Sequence, residues 1–128
     1  MSGGDRSARP CGRLLIVDDE EPQRLMLTQI LRRAGFETQD AADGESALQR
    51  MERHEFDLLL TDQRMPQLDG LELLERVRRL RPRLPVVLMT AHGTVSTAVE
   101  AMKRGAADYL TKPFERDELL MVIEKVLR

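Results

Sequence analysis

The chain has 128 residues, the size of one ordinary domain, and 41% of them are apolar, enough to build a core. There is no Trp and aromatics make up 3%, so Leu, Val, Ile, Met and Ala must supply that core. With 20 basic and 22 acidic residues the net charge is −2, which argues against direct nucleic-acid binding by this segment, since that favours a basic face. A lone cysteine, Cys11, cannot staple the chain internally, in keeping with a reducing cytoplasm. Residues 1–12, "MSGGDRSARPCG", lack the apolar region of a secretory signal and read as a loose tail. No apolar run approaches the roughly 20 residues of a membrane span, so no membrane contact is expected.

Residues 13–128 read as a single domain of strands alternating with helices. The first strand is "LLIV" (14–17). Pro22 suits the first turn of the helix that follows, and Leu27, Ile30, Leu31 and Ala34 give it one apolar face. Gly35 suits the position after its end. "FETQDA" (36–41) alternates, as an edge strand would. Asp43 is placed to cap the second helix. "FDLLLT" (56–61) is the third strand. Asp69 with Glu72 spells a capping box opening the third helix. "PVVLMT" (85–90) is the fourth strand. Val95, Ala98, Val99 and Met102 repeat the helical spacing and predict the fourth helix, and Gly105 its left-handed stop. "DYLT" (108–111) is the fifth strand. The last helix, 115–128, is apolar at 119, 120, 122, 123, 126 and 127, wider than one core face needs. Met26, Met51, Met65, Met89, Met102 and Met121 are expected to fill core gaps. Five such units imply an α/β fold: a doubly wound, five-stranded parallel sheet with helices on both faces.

In open parallel sheets, ligands bind outside the carboxyl ends of the strands. There the sequence places Asp18 and Asp19 after the first strand, Asp62 after the third, Thr90 then Ala91 at the fourth, and Lys112 beyond the fifth. Carboxylates about 4 Å apart repel by roughly 4 kcal/mol per pair at an effective dielectric of about 20. Such a cluster raises a pKa or recruits a cation. Hard oxygen donors without His or Cys favour Mg²⁺, which leaves room for a phosphate. A carboxylate can also be a covalent nucleophile, giving an aspartyl phosphate, with Lys112 balancing the phosphoryl oxygens.

The pieces "LLIVDDE", "LLLTDQRMPQLDG", "VVLMTAHG" and "ADYLTKPF" together resemble the receiver domain of bacterial two-component response regulators, across residues 13–128. The resemblance implies the flavodoxin-like strand order 2-1-3-4-5. It implies that Asp62 is the phosphoryl acceptor, and that Asp19, Asp18 (largely through water) and the backbone carbonyl of Arg64 hold Mg²⁺ beside it. Thr90, Lys112 and the backbone N–H of Ala91 would contact the phosphoryl oxygens. Tyr109 would be the aromatic that turns inward on activation, and Lys112-Pro113 a cis peptide. Pro66 and Gly70 would shape the loop after Asp62. His92, with Arg64, matches positions that influence how long the phosphoryl group survives. The implied partner is a sensor histidine kinase or phosphotransfer protein, and the implied readout is the surface of the fourth helix, fifth strand and fifth helix, which would also serve a homodimer.

"TAHGTVSTAVEAMKRGAADYLTKPF" is similar to receivers of enhancer-binding transcription activators, so a downstream output module is expected outside this segment. The expected activity is that of a switch and not of a turnover enzyme. Two rival readings fit the sequence less well. A Mg²⁺-dependent phosphohydrolase of the haloacid-dehalogenase type wants Asp-x-Asp after the first strand, where this chain has Asp18-Asp19-Glu20. A phosphorylation-independent interaction module typically lacks one of the acids or the lysine, and all are present here.

Overall fold

The computed structural model describes residues 12–91 and 95–128. Its elements are β1 (Arg13–Val17), α1 (Glu21–Arg33), β2 (Glu37–Ala41), α2 (Gly44–Arg53), β3 (Leu58–Asp62), α3 (Gly70–Leu80), β4 (Val86–Thr90), α4 (Val95–Lys103), β5 (Asp108–Thr111) and α5 (Arg116–Leu127). The sheet order is β2-β1-β3-β4-β5, with every neighbouring pair parallel, as expected. Of the expected tail only Gly12 is described, and its carbonyl already accepts the Glu37 N–H at 2.9 Å. No described helix is long and apolar enough to cross a membrane.

Strand alternation sorts the core into two layers. Leu14, Ile16, Leu58, Leu60, Val87, Met89 and Leu110 pack with α1 (Leu27, Leu31) and α5 (Leu119, Ile123). Leu15, Val17, Leu59, Val86 and Leu88 pack with α2 (Ala47, Leu48, Met51), α3 (Leu73, Leu74, Val77) and α4 (Ala101). The central strands β3 and β4 are buried at every residue, which explains their unbroken apolar runs. Each fully buried leucine contributes about 2 kcal/mol through loss of water contact.

Helix ends follow the sequence signals. Asp43 accepts from the Ser46 N–H at 2.8 Å. Asp69 and Glu72 form the reciprocal capping box, at 2.9 and 3.0 Å. Gly35 and Gly105 both take positive φ, at 102° and 104°. After each glycine the backbone closes a Schellman motif: Phe36 N–H to Leu31 carbonyl, and Ala106 N–H to Ala101 carbonyl, both at 3.0 Å. Phe36 therefore belongs to a helix stop and not to the second strand. The third strand also starts later than expected, because Asp57 turns its carboxylate to the Arg13 N–H at 2.8 Å.

The methionines expected to fill core gaps and the apolar stripe of α4 are only partly buried. Val99 and Met102 are 48% and 43% exposed, while Ala98 and Ala101 face inward. Small alanines let the helix approach the four-residue edge strand β5 closely, and that short strand leaves the larger side chains uncovered. Met26, Met102 and Met121 are likewise exposed; only Met51, Met65 and Met89 fill the core. On α5, Leu119 and Ile123 are buried, and Leu120, Val122, Val126 and Leu127 pack partly against the same layer.

Candidate functional site

The carboxyl ends of β1, β3 and β5 bring four charged side chains together. Asp62 is the last residue of β3, paired in register with Met89, and so is held by the ladder. Beyond it the chain must turn at once: the Gly70 N–H donates to the Gln63 carbonyl at 2.8 Å, seating α3 directly on the loop. A Cβ on Gly70 would stand 2.5 Å from the Asp62 carbonyl oxygen, so only glycine allows this approach. Gln67, between them, takes φ 68°.

Asp18 follows β1, and its N–H still reaches the Ala41 carbonyl of β2 at 3.2 Å. Its side chain is fully buried. One carboxylate oxygen accepts the Glu20 N–H at 2.9 Å; the other, Oδ2, is buried and accepts no hydrogen bond. Lys112 Nζ lies 3.5 Å from that oxygen and 3.3 Å from Asp62 Oδ2. Its backbone is placed by an N–H donated to the Thr90 carbonyl at 2.7 Å, ahead of the cis Lys112-Pro113 bond. Asp19 is exposed at the rim.

Oxygens of Asp18, Asp19 and Asp62 lie within 4.8 Å of one another, the only such acidic or metal-ligating group among the described residues. The donor set suits a hard divalent cation, and Asp18 Oδ2, which accepts no hydrogen bond and faces the Lys112 ammonium at 3.5 Å, is an oxygen that could serve it. The open mouth is lined by Glu20, Arg64, Met65, Pro66 and Ala91 as well as by Asp19, Asp62 and Lys112. Burial pushes the Asp62 carboxyl above its ordinary range; Lys112 opposes this, Asp18 adds to it, and the nearby Arg64 backbone opposes it weakly.

Thr90 is buried at the end of β4, its hydroxyl turned to the Leu110 carbonyl at 3.4 Å. Tyr109 pairs with Leu88, two residues before Thr90, so Thr90 and Tyr109 stand on the same pleat, the one facing α3 and α4. Tyr109 is 39% exposed. His92 lies outside the described residues. The influence of the Arg64 backbone on Asp62 carries no sequence signal, since any residue supplies that backbone. The sequence reading also misses Arg24, whose guanidinium donates to the Asp18 carbonyl at 2.7 Å. An arginine just inside a helix beside an acidic loop was the available clue.

Residues 14–124 match the response regulator receiver domain. The regulatory protein AtoC of Escherichia coli is 45% identical over 91% of this chain, and the match takes up 25% of AtoC. The transcriptional regulatory protein FixJ of Bradyrhizobium diazoefficiens is 41% identical over 91% of the chain and 57% of its own length. The chain therefore spans about a quarter to a little over half of these relatives. Among solved structures, the receiver domain of NtrX from Brucella abortus superposes with a TM-score of 0.86 at 40% identity, covering 89% of this chain and 97% of that domain. With the strand order, the acidic cluster and the lysine already in place, the chain belongs to the response regulator receiver domain family of two-component systems.

Proposed function

We propose that this receiver is a phosphorylation-activated switch whose acceptor is Asp62. The observation that carries the reading is the convergence of Asp18, Asp19, Asp62 and Lys112 at one mouth. A carboxylate oxygen of Asp62 attacks phosphorus, the P–N bond of a phosphohistidine breaks, and the histidine nitrogen leaves with its electron pair. The donor is a sensor histidine kinase or phosphotransfer protein. Exposed Leu25 and Met26 on α1, with Pro113 and Phe114 near the mouth, offer it an apolar landing beside the reacting atoms. Asp18, Asp19, Asp62 and the Arg64 carbonyl would hold Mg²⁺, which supplies positive charge against the phosphoryl oxygens. Lys112 provides the opposing ammonium, and the Thr90 hydroxyl and Ala91 N–H donate to the same oxygens. The domain assists its own phosphorylation and loss of phosphate and is not a turnover enzyme. It works in the cytoplasm. The names of its relatives support transcriptional regulation as the output, through a module outside this segment.

If the acidic cluster is a cation site, millimolar Mg²⁺ raises the melting temperature of the wild type by mass action and leaves Asp19→Ala unmoved. Equal shifts in both proteins, or none in either, would count against the site.

Phosphorylation adds charge and acceptor oxygens at Asp62. Thr90 gains a partner there that it lacks in the unphosphorylated form, and that differential contact shifts the population. Because Thr90 and Tyr109 share a pleat, movement of the hydroxyl frees space for the ring. The uncovered Val99, Met102, Tyr109 and Met121 form the readout surface on α4, β5 and α5, suited to a partner or a second copy. A beryllofluoride adduct at Asp62 is expected to shield Tyr109, the one tyrosine of the chain, from iodide quenching, and Thr90→Ala to weaken the effect. Sedimentation of the same samples reports whether a dimer accompanies it. Unchanged quenching with the adduct in place would mean another route of signalling.

A further inference from the structure

Arg24 has no part in the roles above, yet its side chain is only 14% exposed. It sits six residues after Asp18, early in α1. Its Nη1 donates to the Asp18 backbone carbonyl at 2.7 Å, and its Nε donates to Asp40 Oδ2 at 2.8 Å. Asp40 precedes Ala41, whose carbonyl takes the Asp18 N–H at 3.2 Å. Asp18, Arg24, Asp40 and Ala41 thus close a ring that joins the ends of β1 and β2 to α1. Both main-chain polar groups of Asp18 are fixed, one by the sheet and the other by Arg24.

The acidic loop needs such a brace. Its carboxylates repel, and the β1 ladder ends at Val17 with only the Asp18 N–H bonded beyond it. A cation placed on the carboxylates would steady the loop but compete for its oxygens. Arg24 instead places its charge on Asp40 and on a carbonyl, and takes up no carboxylate oxygen of Asp18 or Asp19. The two contacts leave adjacent nitrogens of one planar guanidinium, a fork that a lysine ammonium cannot reproduce.

We infer that Arg24 is a positioning residue that holds the Asp18 carbonyl, and with it the acidic loop, preset for a divalent cation, with Asp40 orienting the guanidinium. This rests on the cation-site reading above. Calorimetric titration of the full chain with Mg²⁺ tests it. Arg24→Ala should weaken Mg²⁺ affinity about tenfold or more, the size of effect seen when groups supporting metal ligands are removed. Arg24→Lys should lose nearly as much, and it carries the test should Arg24→Ala not fold. Asp40→Asn should lose less, because an amide oxygen still accepts from Nε. Ile30→Ala, on the same helix and packed on the core, should lower the melting temperature and keep wild-type affinity. Wild-type affinity in both Arg24 variants would overturn the inference, as would an equal loss in Ile30→Ala. Asp19→Ala separates the two readings: if it binds as wild type does, the cation site itself falls and the brace with it. If it loses Mg²⁺ while the Arg24 variants do not, the brace alone falls.

Discussion

Asp62→Asn is expected to abolish phosphoryl uptake and, in the absence of divalent cations, to melt at a higher temperature than the wild type. The two effects have one cause. The carboxyl of Asp62 is raised above its ordinary range, chiefly by burial, with Lys112 opposing and Asp18 adding to the rise. A folded-state pKa above the unfolded one means that the folded protein favours the protonated form. That stability is fully present below the unfolded pKa and is lost as pH rises through the folded one. At neutral pH the wild type therefore carries a penalty that the neutral amide does not. Melts in chelator across a pH series check this: the variant should lead at pH 7, and the gap should close on acidification through the raised pKa. A variant no more stable than wild type at pH 7 would mean that Lys112 cancels the cost of burial.

Gly70→Ala should cost about 3 kcal/mol, at the upper end of what overpacking does, and lower the melting temperature by roughly 10 °C. At an ordinary helix start an alanine would help. Here the new Cβ would lie 2.5 Å from the Asp62 carbonyl oxygen and 2.7 Å from the Gln63 Cα, and backbone cannot step aside as a side chain can. The strand end that carries Asp62 must move, so labelling should slow as well. Gly105→Ala is the contrast. It meets only the Arg78 side chain, at 3.1 Å, and pays for a positive φ, about 1–2 kcal/mol, far from the acidic mouth. It should lose stability and keep labelling. Denaturant melts with parallel labelling distinguish the pair; a Gly70→Ala protein as stable as wild type would show that α3 can slide off the loop.

What the sequence disclosed divides along physical lines. Fully buried strands such as "LLLTD" and "VVLMT" announce themselves, because both faces need apolar residues. Caps at Asp43 and Asp69 and stops at Gly35 and Gly105 are local chemistry, set by neighbours a few residues away. The convergence of Asp18, Asp62 and Lys112 was legible because parallel strands deliver their carboxyl ends to one edge. Failures came where tertiary context decides. Periodicity marks α4 as a helix but not which of its apolar residues meet the sheet: Ala101, outside the Val95-Ala98-Val99-Met102 spacing, is fully buried, while Val99 and Met102 are exposed. Phe36 and Asp57 look like strand in the sequence but lie outside it, because their hydrogen bonds run to a helix end and to a distant backbone. The Arg24–Asp40 contact joins residues 16 apart, through side chains, and carries no pattern that a single sequence displays.

On the proposed reading, Asp62 takes the phosphoryl group with help from a divalent cation. Acetyl phosphate is incubated with the wild-type chain in Mg²⁺ or in chelator, the adduct is trapped by reduction with borohydride, and the modified residue is mapped by mass spectrometry. Modification at Asp62 alone, present with Mg²⁺ and lost in chelator, is the predicted result. Modification at Asp18 or Asp19, or equal labelling of Asp62 in chelator, would contradict it.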